Sequence, residues 1–374
     1  MLLSSRSSKV AVFGTDFPVE AQPEAWFVDY DLPPELIAQR AVEPRDSARL
    51  MVLGPGRELH HCQVRDLPEC LQPGDLLVFN DTRVIPARLL GRREGTGGAF
   101  EMLFVRPAPD GLWEVMAKTG GRPGPGTRFL ARAPETSPIA GTSLPLVLEG
   151  RTERKRWLVR PEAEGSFAEL LERYGYLPLP PYIRGGREEQ GDRERYQTIW
   201  AGPPGSVAAP TAGLHFTPQL LERLAQSGID STRVTLHVGP GTFQTIQSDP
   251  ATHEVEPEWG EVAAEAAAKI AACRQRKGRV VAVGTTTTRV LESAAMHWSA
   301  GPIPWKGDAD LTIRPGHAFQ AIDLLLTNFH LPRSGLLLLT GAMAGCARLQ
   351  NAYNEAIGQD YRFYSYGDAM LISR

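Results

Sequence analysis

Little in this chain points to a membrane, a disulfide framework or a strongly charged tail. Its longest apolar block, residues 336–344, is broken by Thr340 and Gly341 and falls well short of the roughly 20 residues that cross a bilayer. It reads as a buried element. The four cysteines, Cys62, Cys70, Cys273 and Cys346, include no C-x-x-C pair. That spacing argues against a zinc ribbon or a disulfide scaffold and suits a reducing cytoplasm. Neither charge sign dominates: 40 basic against 43 acidic residues leave a net charge of -3. No global signature of nucleic-acid binding results, although a local basic patch stays open. Lysine is scarce, six against thirty-four arginines, and no function is drawn from that bias. P-loop, G-x-G-x-x-G and H-E-x-x-H motifs are all missing, so no phosphate-cradling Lys loop, dinucleotide fingerprint or zinc site is expected. Near the start, Arg6 and Lys9 precede only a short apolar stretch at 10–13, too brief for a secretory segment. Residues 1–28 are expected to be a flexible extension.

The 374 residues that remain to be organised, 42% of them hydrophobic, suffice for about two domains. From residue 58 to 160, short β-like runs at 75–80, 88–92, 100–106, 112–118, 127–131, 144–149 and 156–159 alternate with Gly, Pro and Asp turns. That spacing predicts an all-β antiparallel barrel or sandwich, taken here as a barrel. After 160, helix-like and strand-like stretches alternate, which predicts an α/β domain with a largely parallel sheet. The helix-like segment LPPELIAQ near residue 32 precedes the β unit and is assigned to the same α/β domain. The expectation is a Rossmann-like α/β domain, residues 29–57 and 161–374, with an inserted barrel at 58–160.

Several stretches carry candidate chemistry. In RVVAVGTTTTRVLE, a buried strand leads through Gly284 into Thr285, Thr286, Thr287, Thr288 and Arg289. A strand-to-helix turn of this kind offers backbone N–H groups and a positive helix end to an anion; simple capping by the threonines is the competing reading. PTAGLHFT holds Thr211, Gly213 and His215, LHVGPGTF holds His237, Gly239 and Gly241, and TNFHLP holds Asn328 and His330. If the strands before them are parallel neighbours, these loops meet at the carboxyl edge of the sheet, where open α/β folds bind ligands. FNDTRVIPAR packs Asn80, Asp81 and Arg83 into four residues, either as a site or as a tethered turn. LPLPPYI and DRERYQT add a stiff proline segment, aromatics, and Arg184, Arg193 and Arg195 nearby. Such groups can stack on RNA bases or form an interdomain strut.

Read together, YDLPPELIAQ, FNDTRVIPARL, LPLPPYI, DRERYQT, APTAGLHFT, TLHVGPGTF, AVGTTTTRVLE, LLTNFHLPRS and YRFYSYGDAMLI resemble the S-adenosylmethionine:tRNA ribosyltransferase-isomerase family of queuosine biosynthesis over residues 30–372. The resemblance implies a cytoplasmic monomer that moves and isomerises the ribosyl part of S-adenosylmethionine onto 7-aminomethyl-7-deazaguanine at the wobble position of tRNA. Epoxyqueuosine in tRNA, adenine and methionine are the implied products; a binding-only paralogue is the alternative. No metal is implied.

On this reading His215, His237 and His330 supply the base or its supporting network. Asn80, Asp81, Arg83, Thr211, Gly213, Gly239, Gly241, Asn328 and the threonine turn with Arg289 line the substrates. Arg184, Arg193 and Arg195 contact tRNA. The family's usual His-x-Met-His-x-Glu run appears here as His253-Glu254-Val255-Glu256-Pro257-Glu258, its lysine- and proline-rich barrel motif as Lys118-Thr-Gly-Gly-Arg122, and its usual threonine after Ser334 as Gly335.

Overall fold

The computed structural model describes residues 26–374 apart from 57, 136, 244 and 248. Most of the expected extension therefore lies outside the described residues, but its last three do not behave as one. Phe27 is buried, with its ring 5.8 Å from Tyr30 and 5.4 Å from Tyr353, and the Val28 carbonyl accepts from Arg333 N at 2.7 Å. The apolar Phe27 ring joins the core, so the boundary at residue 28 is corrected.

In chain order the strands are β1 (Arg49–Leu53), β2 (Leu59–Gln63), β3 (Leu76–Asn80), β4 (Arg83–Val84), β5 (Arg88–Arg93), β6 (Ala99–Pro107), β7 (Trp113–Thr119), β8 (Arg128–Arg132) and β9 (Ser143–Arg151). They continue with β10 (Trp157–Pro161), β11 (Pro204–Ser206), β12 (Asp230–Leu236), β13 (Glu258–Val262), β14 (Val280–Val283), β15 (Trp305–Ala309), β16 (Leu324–Asn328) and β17 (Ala369–Ser373). Two compact units result. One is formed by the chain up to Asp81, Pro210–Leu236 and the chain after Phe243; the other by Thr82–Ala209 and His237–Phe243.

The first unit is built on a sheet of order β15-β13-β12-β3-β14-β16-β17-β1-β2. Its centre, β12-β3-β14-β16, is parallel, and β17 pairs parallel with β1, whereas the remaining neighbours are antiparallel. β3, β14 and β16 are buried at every position, as expected of strands covered on both faces. That continuous apolar run, LLVFN in β3, is what separates it from the alternating barrel strands. Residues 75–80 accordingly belong to this sheet, β2 pairs with β1, and the barrel begins near Arg88 rather than at residue 58. LPPELIAQ yields only a 3-10 turn, Pro34–Leu36, which ends where Ile37 turns extended and bridges Phe363.

The second unit is a closed antiparallel barrel, β10-β7-β6-β5-β8-β9. β6 and β9 alternate between buried and exposed positions, and the inward set, including Phe100, Met102, Phe104, Phe129 and Leu146, makes one core. The helix Phe167–Tyr174 starts with Ser166 and Glu169 capping each other and packs Leu170 and Leu171 onto that core.

Candidate active site

Because β12, β3, β14 and β16 are parallel neighbours, their carboxyl ends line one edge of the sheet. Asn80 ends β3, buried: its Nδ2 donates to Leu236 O at 3.0 Å and to Thr286 Oγ1 at 3.2 Å, while its Oδ1 accepts from Leu236 N at 3.1 Å. The side chain thus extends the backbone ladder and holds the edge in register. Asp81 follows, half-buried, with Oδ1 accepting from Thr235 Oγ1 at 2.7 Å. Burial raises its pKa against the opposing pull of that hydroxyl and of the Arg233 charge.

After β14, Gly284 adopts φ 95°, a conformation that favours glycine, and the helix Thr285–Ala295 begins with no side-chain cap. Thr287 Oγ1 donates back to Val283 O at 2.8 Å and Thr288 Oγ1 to Gly284 O at 3.2 Å. Together with the Asn80 contact to Thr286, these bonds occupy three of the four hydroxyls. Arg289 is turned into the protein and meets a carboxylate of this chain. Its buried guanidinium is ion-paired with Glu258 and donates to Ala309 O at 2.8 Å and Glu256 O at 3.1 Å, so the expected substrate role is corrected to a structural one. A fully desolvated guanidinium needs its carboxylate, and Glu258 supplies it.

His215, Asn328 and Thr211 form one buried network. Asn328 Nδ2 donates to Tyr364 O at 3.1 Å and to His215 Nε2 at 3.1 Å, and Asn328 Oδ1 accepts from Thr211 Oγ1 at 2.9 Å. A backbone carbonyl only accepts, so Tyr364 fixes which end of the amide is nitrogen. His215 Nε2 is then an acceptor, and the imidazole proton sits on Nδ1. Burial, helped by the positive charges of Arg362 and Arg45, pushes the His215 pKa down to about 4. At neutral pH this residue is a neutral imidazole that carries its proton on Nδ1, with its Nε2 lone pair taken up by Asn328. Tyr364 itself holds φ 72°, unusual for a residue with a side chain, and this backbone conformation presents the orienting carbonyl. Sequence reading missed Tyr364 because no spacing rule signals a strained carbonyl. Gly213 is buried within the turn Thr211–His215.

His330 belongs to the core. Its Nε2 lies 2.8 Å from Thr327 Oγ1, its amide donates to Tyr353 OH at 2.8 Å, and burial pushes its pKa down to about 3. The Tyr353 ring that accepts its amide belongs to an aromatic cluster with Phe329 and Phe363, and the buried His330 side chain is turned to Thr327 instead of an open edge, which corrects its expected catalytic role. His253 fills the position opposite Gly335: a Cβ there would lie 2.9 Å from His253 Nε2. The absence of the threonine side chain at 335 therefore accommodates the His253 ring.

In the second unit, His237 Nδ1 lies 2.8 Å from Thr82 Oγ1, which is 2.7 Å from Ser206 Oγ, and Ser206 Oγ accepts from Val238 N at 2.8 Å. The imidazole face lies on Gly205, where a Cβ would come within 2.8 Å of three ring atoms. Thr82, Gly205 and Ser206 were not singled out from sequence. Burial lowers the His237 pKa. Gly239 and Gly241 lie in the turn region that follows Val238.

The expected tRNA arginines divide. Arg184 is ion-paired with Asp192, with Glu189 at 3.5 Å, and Arg193 with Glu188 at 2.9 Å and Glu172 at 3.1 Å. Both are corrected to internal ties, their charge met by carboxylates. Arg83 donates to Ala201 O at 3.0 Å and Arg195 to Gln190 O at 3.1 Å, and both stay exposed. Among the described residues, no group of three or more His, Cys, Asp or Glu is placed to hold a metal ion. Among the described residues, no helix is long and apolar enough to cross a membrane.

A family model described as "Queuosine biosynthesis protein" matches residues 27–372, beginning where Phe27 enters the core. Over 355 residues the chain is 51% identical to an S-adenosylmethionine:tRNA ribosyltransferase-isomerase from Anaeromyxobacter sp. (strain Fw109-5), covering 92% of this chain and 98% of that protein. A protein of the same name from Thermus thermophilus is 49% identical over 350 residues, with the same coverage. A solved structure, the S-adenosylmethionine tRNA ribosyltransferase of Thermotoga maritima, is 35% identical with a TM-score of 0.52, covering 92% of this chain and 99% of that one.

Proposed function

This chain belongs to the queuosine biosynthesis protein family, and we propose that it is an S-adenosylmethionine-dependent tRNA ribosyltransferase-isomerase. It moves the ribosyl group of S-adenosylmethionine onto 7-aminomethyl-7-deazaguanine in tRNA. One observation carries the reading: identity of about half to proteins of that name along 92% of this chain and 98% of theirs. The enzyme works in the cytoplasm, where its tRNA substrate is, and acts as a monomer.

The chemistry needs a base for the carbon beside the sulfonium, after which adenine leaves, the aminomethyl nitrogen attacks the sugar, and methionine departs as the epoxide closes. Asp81 is the group on the sheet edge suited to that base. It sits at a strand carboxyl end, burial raises its pKa toward the working range, and one oxygen is steadied by Thr235. A carboxylate tuned upward in this way gains driving force as a proton acceptor. His215 complements it as a neutral donor through Nδ1–H, its orientation set by Asn328. The uncapped start of the helix at Thr285 offers amides for the methionine carboxylate.

Purified protein incubated with S-adenosylmethionine and tRNA carrying the deazaguanine base is expected to release adenine and methionine in equal amounts. Binding of both substrates without adenine release would instead identify a binding-only relative.

A further inference from the structure

The barrel carries a charge the rest of the chain does not. Between residues 82 and 161 there are fourteen basic against seven acidic residues, a net +7 in a protein of net -3. The surplus is also polarised. All neighbouring barrel strands are antiparallel, so the connections 94–98, 120–127 and 152–156 all leave from the same end. Segments 91–99, 118–128 and 151–156, which form that end, hold nine basic residues against two acidic; the other barrel residues are balanced, five against five. An arginine-rich composition alone would not sort charge in this way.

The two ends differ in how their charges are met. At the balanced end, Arg88 pairs with Glu101, Arg106 with Glu114, and Arg160 with Glu149. That end is also covered: Phe167, in the helix Phe167–Tyr174, stacks on Phe104 with ring centroids 5.4 Å apart, and Tyr176 bridges Arg88. At the hairpin end, Arg128 pairs with Glu94 and Glu162 and Arg156 with Glu114, but Arg92, Lys118, Arg122, Arg151, Arg154 and Lys155 are exposed and make no ion pair among the described residues. Arg93 reaches the 120–127 connection, its Nη1 lying 3.7 Å from where a Cβ on Gly121 would stand. The glycines of that connection leave it few side chains to obstruct a close approach.

Resting on the function proposed above, we infer that the hairpin end of the barrel is the surface that docks the sugar–phosphate backbone of tRNA. Unpaired, exposed guanidinium and ammonium groups spread over three loops match a line of phosphates, which fixes register and orientation without reading bases. Arg184 and Arg193 of the proline-rich region, tied to carboxylates, are poorly placed to do this.

The test is a charge-reversal variant, Arg122→Glu with Arg154→Glu and Lys155→Glu, in the full chain, with Arg132→Glu at the balanced end as control. Equilibrium binding of tRNA across a salt series and adenine release at varied tRNA are the readouts. The triple variant is expected to bind tRNA about tenfold or more weakly, with a salt slope shallower by about two to three, because each lost phosphate contact removes a little under one from the slope. Its turnover at saturating tRNA should stay near that of the wild type, and Arg132→Glu should leave the slope unchanged. Wild-type affinity and slope in the triple variant overturn the inference, as does an equal loss from Arg132→Glu, which would mean a response to overall charge. So does failure of the wild type to bind tRNA. A wild type that releases no adenine but loses tRNA affinity in the triple variant would overturn the proposed reaction and leave this surface standing.

Discussion

The carboxyl edge of the sheet and the hairpin end of the barrel treat polar groups in opposite ways. At the edge, Asn80, Thr211, His215, Thr287 and Asn328 are hydrogen-bonded to other protein groups, and the buried Arg289 charge is met by Glu258. At the hairpin end, six cations are exposed and carry no ion pair among the described residues. A group withdrawn from solvent must be satisfied internally or it costs stability. Such groups hold fixed positions and tautomers. Groups left in water keep their charge and mobility, which suits attraction over a distance more than fixed geometry. On the proposed reading, the edge serves the chemistry and the barrel end the capture of tRNA.

The separation is sharpest at Asp81. Asp81→Asn is expected to slow adenine release by about 10²–10⁴-fold, the range of a lost general base, while leaving tRNA affinity and its salt slope as in the wild type. A parallel loss of tRNA affinity would break the division between the two regions.

Arg289→Ala should act on stability alone. Leaving Glu258 buried without its partner is expected to cost about 3–5 kcal/mol, read by denaturant unfolding. A fully stable variant with weakened substrate binding would return Arg289 to the site.

Acid should weaken the edge before it touches the barrel charges. His215 and His330 are depressed to about 4 and about 3 in the folded protein, below an unfolded value near 6.5. As pH falls below about 6.5, the unfolded chain takes up protons that the folded one refuses. Their contribution is present above that value and is lost as pH falls toward 4 and 3; for His215 it is on the order of 3 kcal/mol. Asn328→Asp replaces the donor to Nε2 with an acceptor, so it should raise the His215 pKa, move the proton to Nε2 and narrow this acid window. Nitrogen NMR of the imidazole reads the tautomer directly, and an unchanged spectrum would remove Asn328 as its determinant.

The smallest effect concerns Thr235. Its hydroxyl favours the charged form of Asp81, so Thr235→Ala should move the acid limb of the adenine-release profile upward in pH. A downward shift or none would detach that limb from Asp81.

Much of this was legible along the chain. Six barrel strands stand close to where the short β-like runs and the Gly, Pro and Asp turns between them put them, because a small barrel needs short strands joined by tight connections. The strand ends at Asn80, Val283 and Asn328 carry polar or glycine-led loops because the helices and turns after them start there, and the ordered motifs identified the family. Charge segregation, too, was countable from sequence, but only the antiparallel closure of the barrel shows that 92–93, 118–128 and 151–156 share one end. Tertiary structure alone decided the histidines. His215 is a fixed donor because Tyr364, 149 residues later, aims a carbonyl at Asn328, and His330 is a core residue because its side chain is buried against Thr327 and its amide is held by Tyr353. Arg289 answers to Glu258 and Arg184 to Asp192 for the same reason: a charge's role is set by what desolvates it and what stands opposite, and neither is encoded in its neighbours along the chain.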